Sequence, residues 1–391
     1  MFELVDSIPK NAEIKVVGVG GGGGNAVRHM MASNIDGVHF ICANTDAQSL
    51  NDLENATILQ LGGTLTKGLG AGANPEVGRQ AALEDKERIA QVLEGADMVF
   101  ITAGMGGGTG TGGAPVIAEV AKQMGILTVG VVTRPFSFEG RKRMAIADAG
   151  IAALKERVDS LIIVPNEKLM QVLGKEMTVI NAFKQANDVL FGAVQGITDL
   201  IMLDGLINVD FADVRTVMAE MGMAMMGTGE ASGTDRAKVA AEGAIKCPLL
   251  EDINLQGAKG ILVNITSGYD LTLGEFEDVG DTIRSFADED ATIIVGSVFE
   301  PELEDQLRVT VVATGLRGVA AKTGPRGVVV DNASARRTAS GDIDYGRLDK
   351  PTINRRSTTA ADGSTARKMD INADPEMDFL DVPAFLRKQA D

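Results

Sequence analysis

Short apolar runs alternate with amphipathic stretches over the first 165 residues. Residues 14–20 (I-K-V-V-G-V-G), Val38–Ala43, Thr57–Leu61, Met98–Thr102, Ile126–Thr133 and residues 158–164 each read as a buried strand. Helical patterns lie between them: Asn25–Ser33; Pro75–Leu93, whose proline suits a first turn; a run from Pro115 through Val116, Ile117, Val120 and Met124; and one that opens within Arg134–Arg143 and continues to Glu156. This alternation predicts an α/β fold with a doubly wound parallel sheet, whose ligands bind at the carboxyl ends of the strands. Residues 178–202 predict one long helix. Its apolar stripe runs Ile180, Phe183, Leu190, Val194, Ile197, Ile201 and is broken once, by Asn187 with Asp188 beside it. Further on come a strand near 223–229, a helix over Asp235–Ala244, a strand over Gly260–Thr266, a helix over Gly274–Phe286, and strands over Ala291–Phe299 and Leu307–Ala313. They suggest a second, α+β unit with a mixed sheet. From about Leu316 the pattern stops. Residues 331–378 are rich in Ser, Thr, Asp, Arg and Ala and read as a disordered linker, which as a coil spans on the order of 40 Å. The apolar pattern returns in Phe379–Asp391, which reads as a tethered peptide that a groove would receive.

The richest chemistry lies between the fourth strand and its helix. Ala103–Ala114 reads A-G-M-G-G-G-T-G-T-G-G-A, with seven glycines. A glycine-rich turn leading into a helix N-terminus offers unpaired N–H groups and the positive end of a dipole, the parts of a phosphate cradle. Thr109 and Thr111 add hydroxyls for phosphate oxygens or a nearby cation. No G-x-x-x-x-G-K-[S/T] occurs, so backbone amides must carry most of the binding. Gly18, Gly20 and Gly23 match G-x-G-x-x-G, and Asp46 follows at the distance a dinucleotide fold uses for a ribose. A third glycine-bearing loop spans 63–75. One nucleotide gripped by several glycine loops accounts for more of these residues than a dinucleotide gripped by one.

Composition narrows the classes. Of 391 residues, 45% are hydrophobic, yet no uninterrupted apolar run reaches transmembrane length, so direct membrane insertion is not expected. Met1–Asn11 carries acidic residues and no apolar core, unlike a signal peptide. Cys42 and Cys247 make no disulfide framework and suit a reducing cytoplasm; His29 and His39 are too few for a histidine metal site or a triad. A net charge of −17, with 4% aromatics and no Trp, argues against nucleic-acid binding.

Two polar groups carry alternatives. Asn187 and Asp188 are either a satisfied polar pair in the helix or an amide and a carboxylate reading a base edge. Asp210 and Asp213 in N-V-D-F-A-D (208–213) either cap and charge a helix running to Glu220 or serve chemistry elsewhere. The methionines at 218, 221, 223, 225 and 226 read as adaptable core or interface filler.

Together these pieces resemble the tubulin/FtsZ family. G-G-G-T-G-T-G at 106–112 matches its signature, Asn208–Asp213 looks like its N-x-D-x-x-D loop, and D-V-P-A-F-L-R-K-Q-A-D at the end resembles its adaptor-binding peptide. The similarity covers roughly residues 11–316 besides that peptide. It implies a cytoplasmic GTPase, concentrated at the mid-cell division site, that assembles head to tail and uses GTP/GDP with Mg²⁺. Its divisions would be a flexible segment 1–11, a GTP-binding domain 12–177, a central helix 178–202, an acidic loop and α+β domain 203–316, a linker 317–378 and a peptide 379–391. By resemblance, Gly20, Gly21, Gly22 and Asn25 lie in the first phosphate loop, Gly72 and Ala73 in the third, and Gly104, Gly106, Gly107, Gly108, Thr109 and Gly110 in the main one. Thr133, Glu139 and Arg143 face the ribose side, and Asn166, Phe183, Asn187 and Asp188 the guanine. Asn208, Asp210 and Asp213 act on the neighbouring subunit's γ-phosphate. Asp381, Pro383, Phe385, Leu386 and Arg387 meet a membrane-attached division adaptor. Two other classes fit parts of the pattern. An NAD(P)-dependent oxidoreductase built on Gly18-Val-Gly20 would bind nicotinamide, and a non-hydrolysing GTP-binding scaffold would release no phosphate.

Overall fold

The parallel pattern forms, and its strand order places the glycine loops. The computed structural model describes residues 12–316 apart from 34, 36, 52, 54, 175, 204, 206, 208, 221, 251–257 and 304. The readings made for residues 1–11, 317–378 and 379–391 lie outside the described residues. The strands are β1 (Ile14–Val19), β2 (Val38–Asn44), β3 (Thr57–Gln60), β4 (Met98–Gly104), β5 (Leu127–Arg134), β6 (Ser160–Pro165), β7 (Gly222–Ser232), β8 (Gly260–Ser267), β9 (Thr292–Phe299) and β10 (Gln306–Leu316). They make one sheet in the order β3-β2-β1-β4-β5-β6-β7-β10-β8-β9. Pairing is parallel from β3 to β7, antiparallel on both sides of β10, and parallel again between β8 and β9. The expected mixed sheet of the second unit is therefore continuous with the first, joined through Ser160↔Gly222, Leu161↔Met223 and Ile162↔Ala224.

The helices are α1 (Gly20–Ala32), α2 (Gly63–Thr66), α3 (Pro75–Glu84), α4 (Lys86–Leu93), α5 (Thr109–Gln123), α6 (Arg141–Lys155), α7 (Asn166–Leu173), α8 (Val179–Met202), α9 (Phe211–Met218), α10 (Arg236–Ile245) and α11 (Leu273–Phe286). Period-two alternation sends Val16 to one face of the sheet with Met30 of α1 and Val194 of α8, and Val17 to the other with Ile89 of α4 and Ile117 of α5. A third apolar cluster joins α10 and α11 to β8 and β10. Met218 and Met226 are buried core, in keeping with filler and not a cofactor box.

Several boundaries differ from the sequence expectation for physical reasons. Helix α1 begins at Gly20, not Asn25, and α5 at Thr109, not Pro115. Glycine costs roughly 1 kcal/mol per residue in a helix, but these starts pack backbone to backbone, which only glycine allows. The expected helix over 75–93 is two helices, broken at Asp85. Its buried carboxylate accepts from the Gly62 N–H at 2.7 Å and pairs with Arg88 at 2.9 Å. Helix α7 had no counterpart in the pattern. The stripe of α8 is split: Leu190, Val194 and Ile197 are core, whereas Ile180 and Phe183 are 81% and 41% exposed.

The contact between α3 and α5 rests on Gly112, where a Cβ would collide with the Pro75 carbonyl oxygen. Gly112→Ala should therefore lower stability by about 1–3 kcal/mol as the helices part. Gly274→Ala is the control, since nothing lies within 4 Å of its Cβ position; it should be neutral or stabilising by about 0.5–1 kcal/mol. Thermal unfolding of both variants checks the contrast.

Candidate functional site

Strands β1 and β4 are neighbours in the middle of the sheet, and the strand order reverses between them. Their helices leave to opposite faces, so their loops border the crevice where an open α/β sheet binds ligands. Neither α1 nor α5 has a side-chain cap, which leaves the first-turn N–H groups of both without an intrahelical partner. The two starts touch: Gly20 has φ +72°, and a Cβ there would stand 2.9 Å from the Gly110 nitrogen. On the open side, Cβ positions at Gly21, Gly72 and Gly107 meet nothing within 4 Å. This space is shaped by backbone and lies at two positive helix ends, which suits an anion with several oxygens.

Other predicted members hold the cradle together. The Gly108 N–H donates to the Gly72 carbonyl at 2.8 Å and pins the third loop, with Ala73, to the main one. The Gly106 N–H donates to Thr111 Oγ1 at 2.8 Å, and the Met105 N–H to the Thr133 carbonyl at 3.0 Å. Thr109 Oγ1 lies 2.6 Å from Thr45 Oγ1, in a buried hydroxyl pair. Thr45 was missed as a site residue, because only the parallel pairing of β1 with both β2 and β4 brings it to Thr109.

A cleft of 220 Å³ adjoins the cradle, lined by Gly22, Gly104, Asn25 and further side chains from α6, α7 and α8. Glu139 accepts from the Phe136 N–H at 2.9 Å, and its other oxygen meets Arg143 Nε at 2.9 Å. Asn166, the first residue of α7, is 3% exposed, and its Oδ1 has no hydrogen-bond partner. A buried acceptor left unpaired costs about 1–3 kcal/mol, which a donor on a ligand would recover. Phe183 stands edge-on to Phe136 with ring centroids 5.3 Å apart and presents apolar surface to the cleft. Asn187 lines the cleft as well. Asp188 does not: its Oδ1 is 2.6 Å from His29 Nε2, and it borders a separate cavity of 820 Å³ between α8 and β10.

The structure keeps the acidic loop away from this site. Asp210 precedes α9, but its side chain does not cap the helix, and Asp213 sits in the first turn. Both are exposed, and neither carboxylate has a hydrogen-bond or ion-pair partner among the described residues. Asn208 lies outside the described residues. Arg215 Nη2 on α9 donates to the Gly125 carbonyl at 2.7 Å, just beyond the far end of α5. Gly296 of β9 lies against Leu200 near the end of α8 and Val209 of the acidic loop. The 15-residue α5 is roughly 22 Å long and the 24-residue α8 roughly 36 Å, and the cradle and cleft lie at their opposite ends. Among the described residues no cluster of three or more His, Cys, Asp or Glu side chains stands ready for a metal ion.

Comparison with known proteins identifies the family. The family model described as Tubulin/FtsZ family, GTPase domain, matches residues 13–174, and that described as FtsZ family, C-terminal domain, matches 222–317. The chain is similar to the cell division protein FtsZ of Pseudomonas aeruginosa, with 62% identity over 400 residues and the full length of both chains covered. Among solved structures, an FtsZ mutant from M. jannaschii is 46% identical with a TM-score of 0.75, covering 78% of this chain and 92% of that one. An empty FtsZ dimer from M. jannaschii is likewise 46% identical, with a TM-score of 0.74 and coverage of 78% and 88%. Matched at both of its modules and along its whole length, the chain belongs to the FtsZ branch of the tubulin/FtsZ family of GTPases.

Proposed function

We propose that GTP lies with its phosphates between the starts of α1 and α5 and its base in the cleft of Asn166, Phe183 and Asn187, and that the acidic loop of a second copy completes the site. Family membership makes the chain a GTP-hydrolysing, filament-forming protein of cell division; the assignment of residues is the further step. One observation carries it: Asp210 and Asp213 are exposed, have no partners among the described residues and lie at the opposite end of α5 and α8 from the cradle. They cannot serve the phosphates of their own chain, but head-to-tail stacking brings them to the next chain's cradle. Such a heterologous contact leaves a free end of each kind and builds open filaments.

In this arrangement the cradle's amides hold the phosphate oxygens, and Thr109 retains hydrogen-bonding capacity beside Thr45. Glu139 and Arg143 brace the ribose side. The partner's Asp210 and Asp213, with Asn208, orient and polarise the attacking water and accept its proton. The Thr45 and Thr109 hydroxyls would be this chain's groups beside a Mg²⁺ brought in with the nucleotide, since among the described residues no acidic cluster is set for a metal. When bound it offsets the phosphate charge. The unpaired Asn166 acceptor suits the N–H donors on guanine's edge, and Asp188 would join it by exchanging His29 for the base. No described helix is long and apolar enough to cross a membrane. Attachment at mid-cell is proposed to come through Asp381, Pro383, Phe385, Leu386 and Arg387 binding a membrane-attached division adaptor.

Turnover per molecule should rise with protein concentration above a threshold, and Asp213→Ala should bind GTP but lose about 10²-fold or more in turnover. Mixing it with Thr109→Ala should restore activity, because the second variant lends its Asp213 to the first one's intact cradle. Turnover that is flat down to monomer would sink completion in trans. Asn166→Ala should weaken GTP about tenfold, by loss of one well-placed hydrogen bond, and narrow the preference for GTP over ATP; equilibrium binding of both nucleotides reads this. Deleting residues 379–391 should leave GTP turnover near that of the full chain and abolish recruitment to adaptor-bearing vesicles.

A further inference from the structure

At the end of the sheet that carries the acidic loop, a buried arginine is spent entirely on one exposed turn. Arg236, the first residue of α10, is 5% exposed. Its Nε meets Glu275 Oε1 at 2.6 Å and its Nη2 meets Glu275 Oε2 at 3.2 Å. Its Nη1 meets Asp270 Oδ2 at 2.7 Å, and Nη2 reaches the Asp270 carbonyl at 3.4 Å. Glu275 in turn closes a capping box with Thr272, accepting from its N–H and hydroxyl at 2.9 Å each. One guanidinium fork thus locks both the turn after β8 and the start of α11. The hydrogen bonds from Arg236, and after them those from Thr272, pull the Glu275 carboxyl down to about 2, so the clamp stays ionised at neutral pH.

What the clamp holds is apolar and open. Tyr269 and Leu273 are each 77% exposed, and Tyr269 leans on Phe299 with ring centroids 5.5 Å apart. The strand that Tyr269 leans on is tied to the acidic loop: two residues before Phe299, Ser297 receives the Ile207 N–H on its Oγ and donates its own N–H to the Ile207 carbonyl, both at 3.2 Å. At the nucleotide end, Leu69 and Ile180 are 86% and 81% exposed. Apolar surface therefore stands at both ends that the head-to-tail reading brings together.

We propose that Arg236 is a positioning residue for assembly: it fixes the Tyr269–Leu273 turn in the shape that receives the nucleotide-bearing end of a second copy. This rests on completion in trans as proposed above. Among the described residues this buried side chain bonds only to that turn and the helix it starts, so it sets geometry at the end where the next subunit would dock.

The test uses full-length Arg236→Lys, which keeps the charge but loses the fork, and Asp270→Asn, whose side chain is 42% exposed and can change without disturbing the core. Each should raise the critical concentration for GTP-dependent sedimentation about fivefold or more while monomer affinity for GTP stays within about twofold. Arg236→Lys mixed with Thr109→Ala should regain turnover, since an intact cradle meets an intact acidic face; mixed with Asp213→Ala it should not, since both variants are impaired at the same face. An unchanged critical concentration in both variants overturns the proposal, as does a parallel loss of GTP affinity or rescue by Asp213→Ala. Unmodified chains run alongside separate the two readings. If their turnover per molecule ignores concentration, completion in trans has failed; if it does not and the variants match them, only the role of Arg236 has.

Discussion

The structure depends on two helix starts meeting backbone to backbone at the centre of the sheet. Gly20 of α1 lies against Gly110 of α5, and Gly22 against Gly104. No residue with a Cβ could bring them so close, and the glycines' cost in helix propensity is offset by what the contact creates. Two helix N-termini without side-chain caps meet in a form that suits an anion. The loops that surround it (the Gly72 turn tied to Gly108, the Thr133 carbonyl tied to Met105, Thr45 tied to Thr109) are braces for that approach as much as binding elements.

From that meeting point the molecule acquires a direction. α5 and α8 start at the end that carries the glycine cradle and the cleft and finish near Gly125, Leu200 and the acidic loop. Helices of this length separate the cradle from the Asp210 and Asp213 carboxylates by more than a side chain can reach, and the proposed completion by a second copy starts from that distance. In the proposed arrangement, filament formation and hydrolysis are coupled through one contact, because the docking surface also carries the acidic loop. Among the described residues the Asn166 Oδ1 and the carboxylates at 210 and 213 have no partners, as the proposed reading asks of groups that meet a ligand or a second copy.

Much of this was legible from residue order alone. Alternating apolar runs marked the parallel strands, because a strand covered on both faces must be apolar throughout. The glycines of 103–114 and the absence of a following lysine pointed to backbone recognition of phosphate, and N-V-D-F-A-D marked a second acidic element. These are local signals: periodicity, turn chemistry and charge each act over a few residues, so the sequence alone determined the strands, most of the helices and the family. What only the tertiary structure decided depends on residues far apart in the chain meeting. It extended two helices back into their glycines, broke one at Asp85 through a hydrogen bond to Gly62, and brought Thr45 to Thr109. It split the stripe of α8 into buried and exposed parts, which a periodic pattern cannot distinguish, because Ile180 and Ile197 look alike until tertiary packing covers one of them. It turned Asp188 toward His29 while Asn187, its neighbour, faced the cleft. And it set the acidic loop at the opposite end from the cradle, because only the packed length of α5 and α8 measures that distance.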